Sequence, residues 1–228
     1  MRRAVQDVRA ALTPSVRFRS KLELVIGPYS EACTRLVDDP RLPELWPEYL
    51  VVQHQIIRAT VPLTRVALDR ANELGDDPAG LAAYLELHVD EELGHDETLL
   101  DDLVLLGLER GEVLERMPSP AVASLVGAQY YWIRHHHPVA FLGYVGVMEG
   151  YPPTDELVEL LVARTGFPRE AFRTFSEHGE LDPGHRDHLD RTLDALPLTE
   201  QHEQMIGASA IATVGLATTA LEELLAER

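Results

Sequence analysis

The chain has 228 residues, an ordinary apolar fraction of 45% and a low aromatic fraction of 6%. This length suits one long domain with a sizeable core, and we predict a single helical metal-binding domain over residues 1–228. The formal net charge of −18 argues against nucleic acids and anionic membranes as partners, because like charges repel. The lone Cys33 excludes an internal disulfide, and no apolar segment follows Arg2 and Arg3. We therefore expect a cytoplasmic protein without a signal peptide.

The first part of the chain predicts amphipathic helices that are separated by prolines. Pro28 can open a helix that runs to about Val37. A longer helical pattern extends from Leu45 to about Leu74. Pro62 lies inside this pattern and is expected to kink or split the helix, because proline removes one backbone hydrogen bond.

The next helix, predicted from about Ala79 to Leu108, carries a candidate metal-binding pair. At about 100° of rotation per residue, Glu92 lies at the centre of an apolar stripe, with His88 and His95 beside it. A carboxylate in such a stripe is costly unless it is paired or bound to a metal. Glu92 and His95 also have the i, i+3 spacing that di-metal helical bundles use. Taken alone, the glutamate and histidines of this helix could also form a buried ion pair without a metal.

A helix predicted over residues 121–134 ends at three consecutive histidines and resumes after Pro138. Adjacent helical residues point in different directions, so the three histidines do not suit one ion, and we interpret them as a solvated turn. The resumed helix is apolar and ends at Glu149, the only charged residue between Pro138 and Asp155. This lone carboxylate is a candidate bridging ligand, and an exposed helix end at Gly150 is the alternative.

Two histidines and one aspartate form a row late in the chain. On a helix, His178 and Asp182 point within about 40° of one another, and His185 lies about 20° to the other side of His178. Two imidazoles and one carboxylate are the ligands associated with non-haem iron that activates oxygen. Pro183 should bend the helix beside them. A final helix over about 199–225 is rich in small residues and is predicted to pack inside the bundle. No strand pattern occurs, so the predicted fold class is all-α.

Together these motifs resemble the haem-oxygenase-like di-iron oxidases and oxygenases. The pattern shared by that family is Glu-His on one helix, a lone Glu on a middle helix and His-x-x-x-Asp-x-x-His late in the chain. Here it is matched by Glu92 with His95, by Glu149 and by the row from His178 to His185. One position departs from the pattern, because several members have a glutamate seven residues before the first-helix histidine. This chain has a histidine there, residue 88, so either that residue or Glu92 completes the first-helix ligand set.

The resemblance implies a haem-oxygenase-like bundle of about seven helices that binds two Fe(II) ions, one of them weakly. It also implies the use of O2 to oxidise a small molecule in a biosynthetic reaction. Family reactions include N-oxygenation, desaturation, oxidative C–C cleavage and fatty-acid decarboxylation. In this interpretation His88 is an alternative or second-layer ligand, and the metal ligands are Glu92, His95, Glu149, His178, Asp182 and His185.

The helices predicted to form the pocket carry polar side chains beside apolar ones. This favours an amino acid or an amino-acid-derived molecule as the substrate. Tyr130, Tyr131, Arg134 and Tyr144 are the candidate substrate-binding residues, since an arginine can hold a carboxylate through two donors. Besides the substrate, an electron donor and a second copy of the chain are left open as partners.

Several other functions stay open at this point. One is a fatty-acid decarboxylase of the same fold, and another is a non-catalytic helical protein that binds iron or a partner. A haem-degrading enzyme would need a histidine on its first helix, and residues 1–45 contain none. A hydrolase of similar fold would need a positioned cysteine. Cys33 has no base near it in sequence, so we interpret it as a partly buried thiol.

Overall fold

Prolines and glycines divide the chain into helices, as the sequence predicts. The computed structural model describes residues 12–75 and 80–226, so Arg2, Arg3 and the predicted helix start at Ala79 lie outside the described residues. Within these two ranges all regular structure is helical, and the predicted all-α class is confirmed. Two short 3₁₀ turns, Pro138–Ala140 and Arg169–Phe172, precede α8 and α10. The α-helices are α1 (Pro14–Val25), α2 (Gly27–Asp38), α3 (Leu42–Leu74), α4 (Leu81–Glu92), α5 (His95–Leu105), α6 (Arg110–Glu115), α7 (Pro120–His135), α8 (Phe141–Met148), α9 (Asp155–Thr165), α10 (Arg173–Ala195) and α11 (Glu200–Ala226).

The predicted helix from Ala79 to Leu108 is two helices, which corrects the sequence prediction. Leu93 is extended, and Gly94 has a φ of 94°, a left-handed conformation that favours glycine. The break separates α4 from α5 between Glu92 and His95. Gly94 thus changes the direction of the chain beside two candidate ligands.

Pro62 does not split the long helix. The helix α3 runs without interruption from Leu42 to Leu74 and also contains Pro47. It packs against α4, α5, α7 and α11, and this burial compensates the missing backbone hydrogen bonds. The short helix α6 lies between α5 and α7.

The helices α8 and α11 approach each other closely at Gly143. A Cβ atom built at this position would lie 2.1 Å from the carbonyl oxygen of Ile206 and 2.9 Å from the backbone nitrogen of Ala210. Only glycine fits this contact. The contact fixes the apolar helix α8, whose C-terminal end carries Glu149, on the core of the bundle.

The final helix packs inside the bundle, as predicted. By length and composition Glu200–Ala226 is apolar enough to cross a membrane, but the same holds for core helices, and half of its apolar window is buried in the protein. Its small polar residues also have partners in the bundle. The hydroxyl of Ser209 donates to the Gln129 side-chain oxygen at 3.0 Å, and the Gln129 amide lies 3.4 Å from the Thr213 hydroxyl.

A buried aspartate on α5 holds the start of α10. The Asp102 side chain accepts a 2.8 Å hydrogen bond from the backbone nitrogen of Thr174, in the first turn of α10. Phe172, which precedes that helix, provides no side-chain cap of its own. Because His95 opens α5 and His178 lies in α10, this bond fixes two candidate ligands relative to each other.

We expect Gly143→Ala to lower the free energy of unfolding by about 1–3 kcal/mol, because the new methyl group has no room between α8 and α11. Gly127→Ala is the matched control, since Gly127 is exposed inside α7 and a Cβ there meets nothing within 4 Å. That control should be neutral or stabilising by up to about 1 kcal/mol. Urea unfolding measures both variants, and equal effects would contradict the close packing at Gly143.

Candidate metal centre

Carboxylate and imidazole side chains from three parts of the chain meet in the interior. The ligand atoms of His88, Glu92 and Glu149 lie within 4.8 Å of one another, and so do those of Glu92, His95 and His178. Glu92 belongs to both groups, so the two groups are adjacent. This convergence of α4, α5, the end of α8 and α10 is the one that the sequence motifs predict.

Glu92 and His95 lie on the two sides of the break at Gly94. The Oε2 atom of Glu92 is 3.4 Å from Nδ1 of His95, although the two residues belong to different helices. The predicted pair therefore forms, but the turn at Gly94 brings its members together instead of the i, i+3 spacing of one helix. Both His88 and Glu92 lie in one group, so the geometry is compatible with either residue as the first-helix ligand, and this choice stays a prediction.

Glu149 is buried at the C-terminal end of α8, which excludes the alternative of an exposed helix end. It is 6% exposed, and its Oε1 atom is 3.5 Å from Nδ1 of His88. Burial raises the pKa of the Glu149 carboxyl well above its usual range, and the nearby charges of Glu92 and Asp182 raise it further. An isolated carboxylate at this position is therefore costly, and a cation beside it would remove the cost.

The predicted row of His178, Asp182 and His185 on α10 lies next to the two groups of candidate ligand atoms. Nδ1 of His178 lies 2.8 Å from the backbone oxygen of Thr174, and such a bond leaves Nε2 as the metal-binding atom. The rings of His178 and His95 are 4.8 Å apart. Asp182 and His185 are buried, with Oδ1 and Nδ1 3.6 Å from each other, and they belong to neither group of three. They lie beside the groups on either side of Pro183, which is inside the continuous helix α10.

The residues of this site fit a bound metal better than a set of ion pairs. Burial lowers the pKa of His88 to about 4, so this imidazole is neutral at pH 7 and does not form an ion pair with Glu149. The 3.4–3.6 Å contacts are longer than charge-assisted hydrogen bonds. Several buried ligand atoms also have no hydrogen-bond partner among the described residues, namely both ring nitrogens of His88, Nδ1 of His95 and His185, Oε2 of Glu149 and Oδ1 of Asp182.

A cavity of about 520 Å³ extends from these ligands towards the surface. His88, Glu92, Glu149, His178 and Asp182 line its inner end. Its walls are mainly apolar. Among the described residues that line it there is no lysine or arginine, and the polar wall residues outside the metal site include Tyr29, Cys33, Trp46, Tyr49, Gln53, Thr60 and Tyr144.

One of the four predicted substrate-binding residues lines this cavity. Tyr144 is buried in its wall. Tyr130, Tyr131 and Arg134 belong to α7 and do not line it, and both Tyr131 and Arg134 are exposed. These three residues are therefore not part of the proposed substrate site, because an exposed surface of α7 offers no enclosed volume for a ligand.

Sequence reasoning missed the polar residues that α3 and α2 contribute to the cavity. Trp46, Tyr49 and Gln53 are spaced by three and four residues, so they share one face of α3. This spacing was visible in the sequence. It did not stand out because aromatic residues at helical spacing usually belong to a core. Cys33 is partly buried in a helix, as predicted, and burial raises the pKa of its thiol.

Comparison with known proteins identifies an iron-containing family and a matching fold. Residues 81–217 match the profile of a family described as iron-containing redox enzyme. No functionally curated protein is significantly similar to the chain in sequence.

Solved structures with low sequence identity share the whole fold. A domain of unknown function with a haem-oxygenase-like fold from Shewanella denitrificans is 19% identical, with a TM-score of 0.74 over 97% of this chain and 91% of that one. A TenA homologue from Pseudomonas syringae is 13% identical, with a TM-score of 0.67 over 90% of this chain and 92% of that one. A CADD-like protein of unknown function from Nostoc punctiforme is 19% identical, with a TM-score of 0.62 over 92% of this chain and 97% of that one. The predicted haem-oxygenase-like fold is thereby confirmed.

Glu92→Gln should weaken Fe(II) binding by at least about tenfold, because Glu92 belongs to both ligand groups and the amide removes its charge. Glu86→Gln is the matched control, since Glu86 is exposed on the same helix α4 and belongs to neither group. Anaerobic Fe(II) titration against a chromogenic chelator measures both variants. Equal affinities in the two variants would show that Glu92 does not bind the metal.

Proposed function

The chain belongs to the iron-containing redox enzyme family, and we propose that it is a non-haem di-iron oxidase or oxygenase that uses O2 to oxidise a small molecule. The observation that supports this proposal is the pair of adjacent ligand groups that share Glu92. One buried His-carboxylate group would account for a single metal ion. Two groups with a common carboxylate suit two ions, with Glu92 as the bridge.

Each ligand residue has a distinct role in this proposal. His88, Glu92 and Glu149 would hold one iron, and Glu92, His95 and His178 would hold the other. Asp182 and His185 would complete the coordination from α10. Ferrous ions in these positions would supply electrons for the reduction of O2.

The protein contributes charge compensation and the exclusion of water. The carboxylates of Glu92, Glu149 and Asp182 offset the charge of the cations in a buried environment. Leu99, Tyr144 and Phe175 line the cavity and would separate the reacting end of a substrate from bulk water. Leu85 and Phe141 do not line it and belong to the hydrophobic core.

The composition of the cavity bears on the substrate. An amino acid would need partners for two charged groups, and the described residues lining the cavity offer no lysine or arginine for its carboxylate. A fatty-acid-like molecule has one charged group instead of two, and its long apolar part matches the apolar walls, so this alternative is the second candidate that the structure favours. The predicted electron donor, homodimer and cytoplasmic location stay predictions.

A hydrolase that uses Cys33 as its nucleophile is less well supported. Burial raises the pKa of the Cys33 thiol, which disfavours the thiolate that such a reaction requires. The side chain that hydrogen-bonds this thiol is the Tyr29 hydroxyl, which is a poor general base.

Fe(II)-loaded protein should consume O2 in the presence of its substrate, and removal of the iron with a chelator should abolish this uptake. We propose a screen of fatty acids and amino acids by oxygen electrode, with mass spectrometry of the products. His178→Ala should lower the rate by at least about a hundredfold, because it removes a ligand. Tyr131→Phe, on the exposed face of α7, serves as the control and should keep full activity.

Iron binding without substrate-triggered O2 uptake would indicate storage or delivery of iron instead of oxidation. Failure to bind iron would indicate that these residues form buried ion pairs in a non-catalytic protein. The Fe(II) titration and the oxygen measurement together separate these two outcomes.

A further inference from the structure

The cavity contains buried hydrogen-bonding groups that the proposed metal chemistry does not use. The indole of Trp46 lines the cavity and is 2% exposed, and its Nε1–H has no hydrogen-bond partner among the described residues. The hydroxyl of Tyr144 in the same cavity is buried beside the side chain of Thr60. An indole N–H can only donate, so a buried one without a partner is destabilising unless a ligand or water accepts from it.

Trp46 has polar neighbours along one face of α3. Tyr49 and Gln53 follow it by three and seven residues, and both line the cavity. The rings of Trp46 and Tyr49 are 5.3 Å apart, and the ring of Phe175 is 5.1 Å from that of Trp46. We call the residues Trp46, Tyr49 and Gln53 the α3 subsite.

The α3 subsite lies a short distance from the metal ligands. Phe175, which touches it, precedes the ligand His178 by three residues, or about 4.5 Å along the axis of α10. A molecule whose reacting end lies at the ligands can thus reach the α3 subsite with another part of its structure.

The surroundings of the α3 subsite favour an uncharged group. Burial raises the pKa values of the neighbouring hydroxyls of Tyr29 and Tyr49 above their usual range, so anions are disfavoured here. The described lining residues provide no lysine or arginine to pair with an anion. A ligand carboxylate at this place would lose its hydration and gain only neutral donors.

We propose that the α3 subsite binds an uncharged hydrogen-bond acceptor, such as a carbonyl, ester or amide oxygen, carried by an otherwise apolar substrate. The Trp46 Nε1–H donates to this oxygen, and Tyr49 and Gln53 offer a hydroxyl and an amide beside it. The proposal rests on the proposed function, in that it assigns the cavity to the substrate. It distinguishes the substrate from a plain alkyl-chain fatty acid and from a free amino acid.

Three ring compounds of similar size test this assignment. Ethylbenzene is apolar, acetophenone replaces one methylene by a carbonyl, and benzoate carries a negative charge. The chain has two tryptophans, so ¹⁵N-labelled protein gives two indole N–H resonances, and Trp132→Phe assigns the one from Trp46. The titrations use iron-free protein, which avoids paramagnetic broadening. Their result therefore does not depend on whether the di-iron proposal holds.

Acetophenone should shift the Trp46 indole resonance downfield and bind at least about fivefold more tightly than either ethylbenzene or benzoate. Trp46→Phe keeps an aromatic ring at this site but removes the N–H. Followed by backbone amide shifts, this variant should reduce the preference for acetophenone to within about twofold. Tyr49→Phe should lower the same preference, and it provides a second test if the first variant does not fold.

Four results would overturn the proposal. They are equal binding of ethylbenzene and acetophenone, tightest binding of benzoate, a preference that survives in both variants, and an unchanged Trp46 resonance with all three compounds. The iron titrations of Glu92→Gln are separate from these measurements, so the failure of one proposal is distinguishable from the failure of the other.

Discussion

Buried carboxylates and imidazoles destabilise a protein unless hydrogen-bond partners or cations compensate for their lost hydration. The arrangement of the bundle depends on this requirement. Glu92, Glu149 and Asp182 are all buried close to four histidines, and the nearby Arg19 lowers the pKa of Glu149 less than burial and the other carboxylates raise it. Such a cluster without cations would be strongly destabilising. The raised pKa of Glu149 and the lowered pKa of His88 both express this cost, because each favours the neutral form of a group that a metal would otherwise hold.

The rest of the fold aligns the segments that carry these ligands. Arg19 on α1 donates to the carbonyl oxygen of Gly146 at 3.1 Å and to Asp190 at 2.9 Å, which ties the helix of Glu149 to the helix of His178. Asp102 ties α10 to α5 in the same way. The ligands are therefore fixed by hydrogen bonds between helices, and the precision of the site does not rest on any single helix.

The sequence predicted the helical class, most helix limits and the identity of the buried carboxylates, because these follow from local periodicity and from the cost of isolated charge. It did not predict the break at Gly94, since Glu92 and His95 have a spacing that also fits a continuous helix. The substrate residues were harder to predict for another reason. Tyr131 and Arg134 have suitable chemistry, but only the packing of α7 decides that they face away from the cavity.

The contrast between two parts of the cavity lining constrains the chemistry. One part consists of acidic and imidazole groups, and the other, formed by Trp46, Tyr49 and Gln53, is neutral. A substrate with a charged group beside the neutral part would lose its hydration without gaining a partner. One with only apolar groups would leave the Trp46 N–H unpaired. Burying polar groups without partners is destabilising, and this one effect bears on both parts of the cavity. It favours cations beside the carboxylates and imidazoles, and it favours a substrate that can accept a hydrogen bond from Trp46. The cavity wall is therefore as informative about function as the candidate metal ligands.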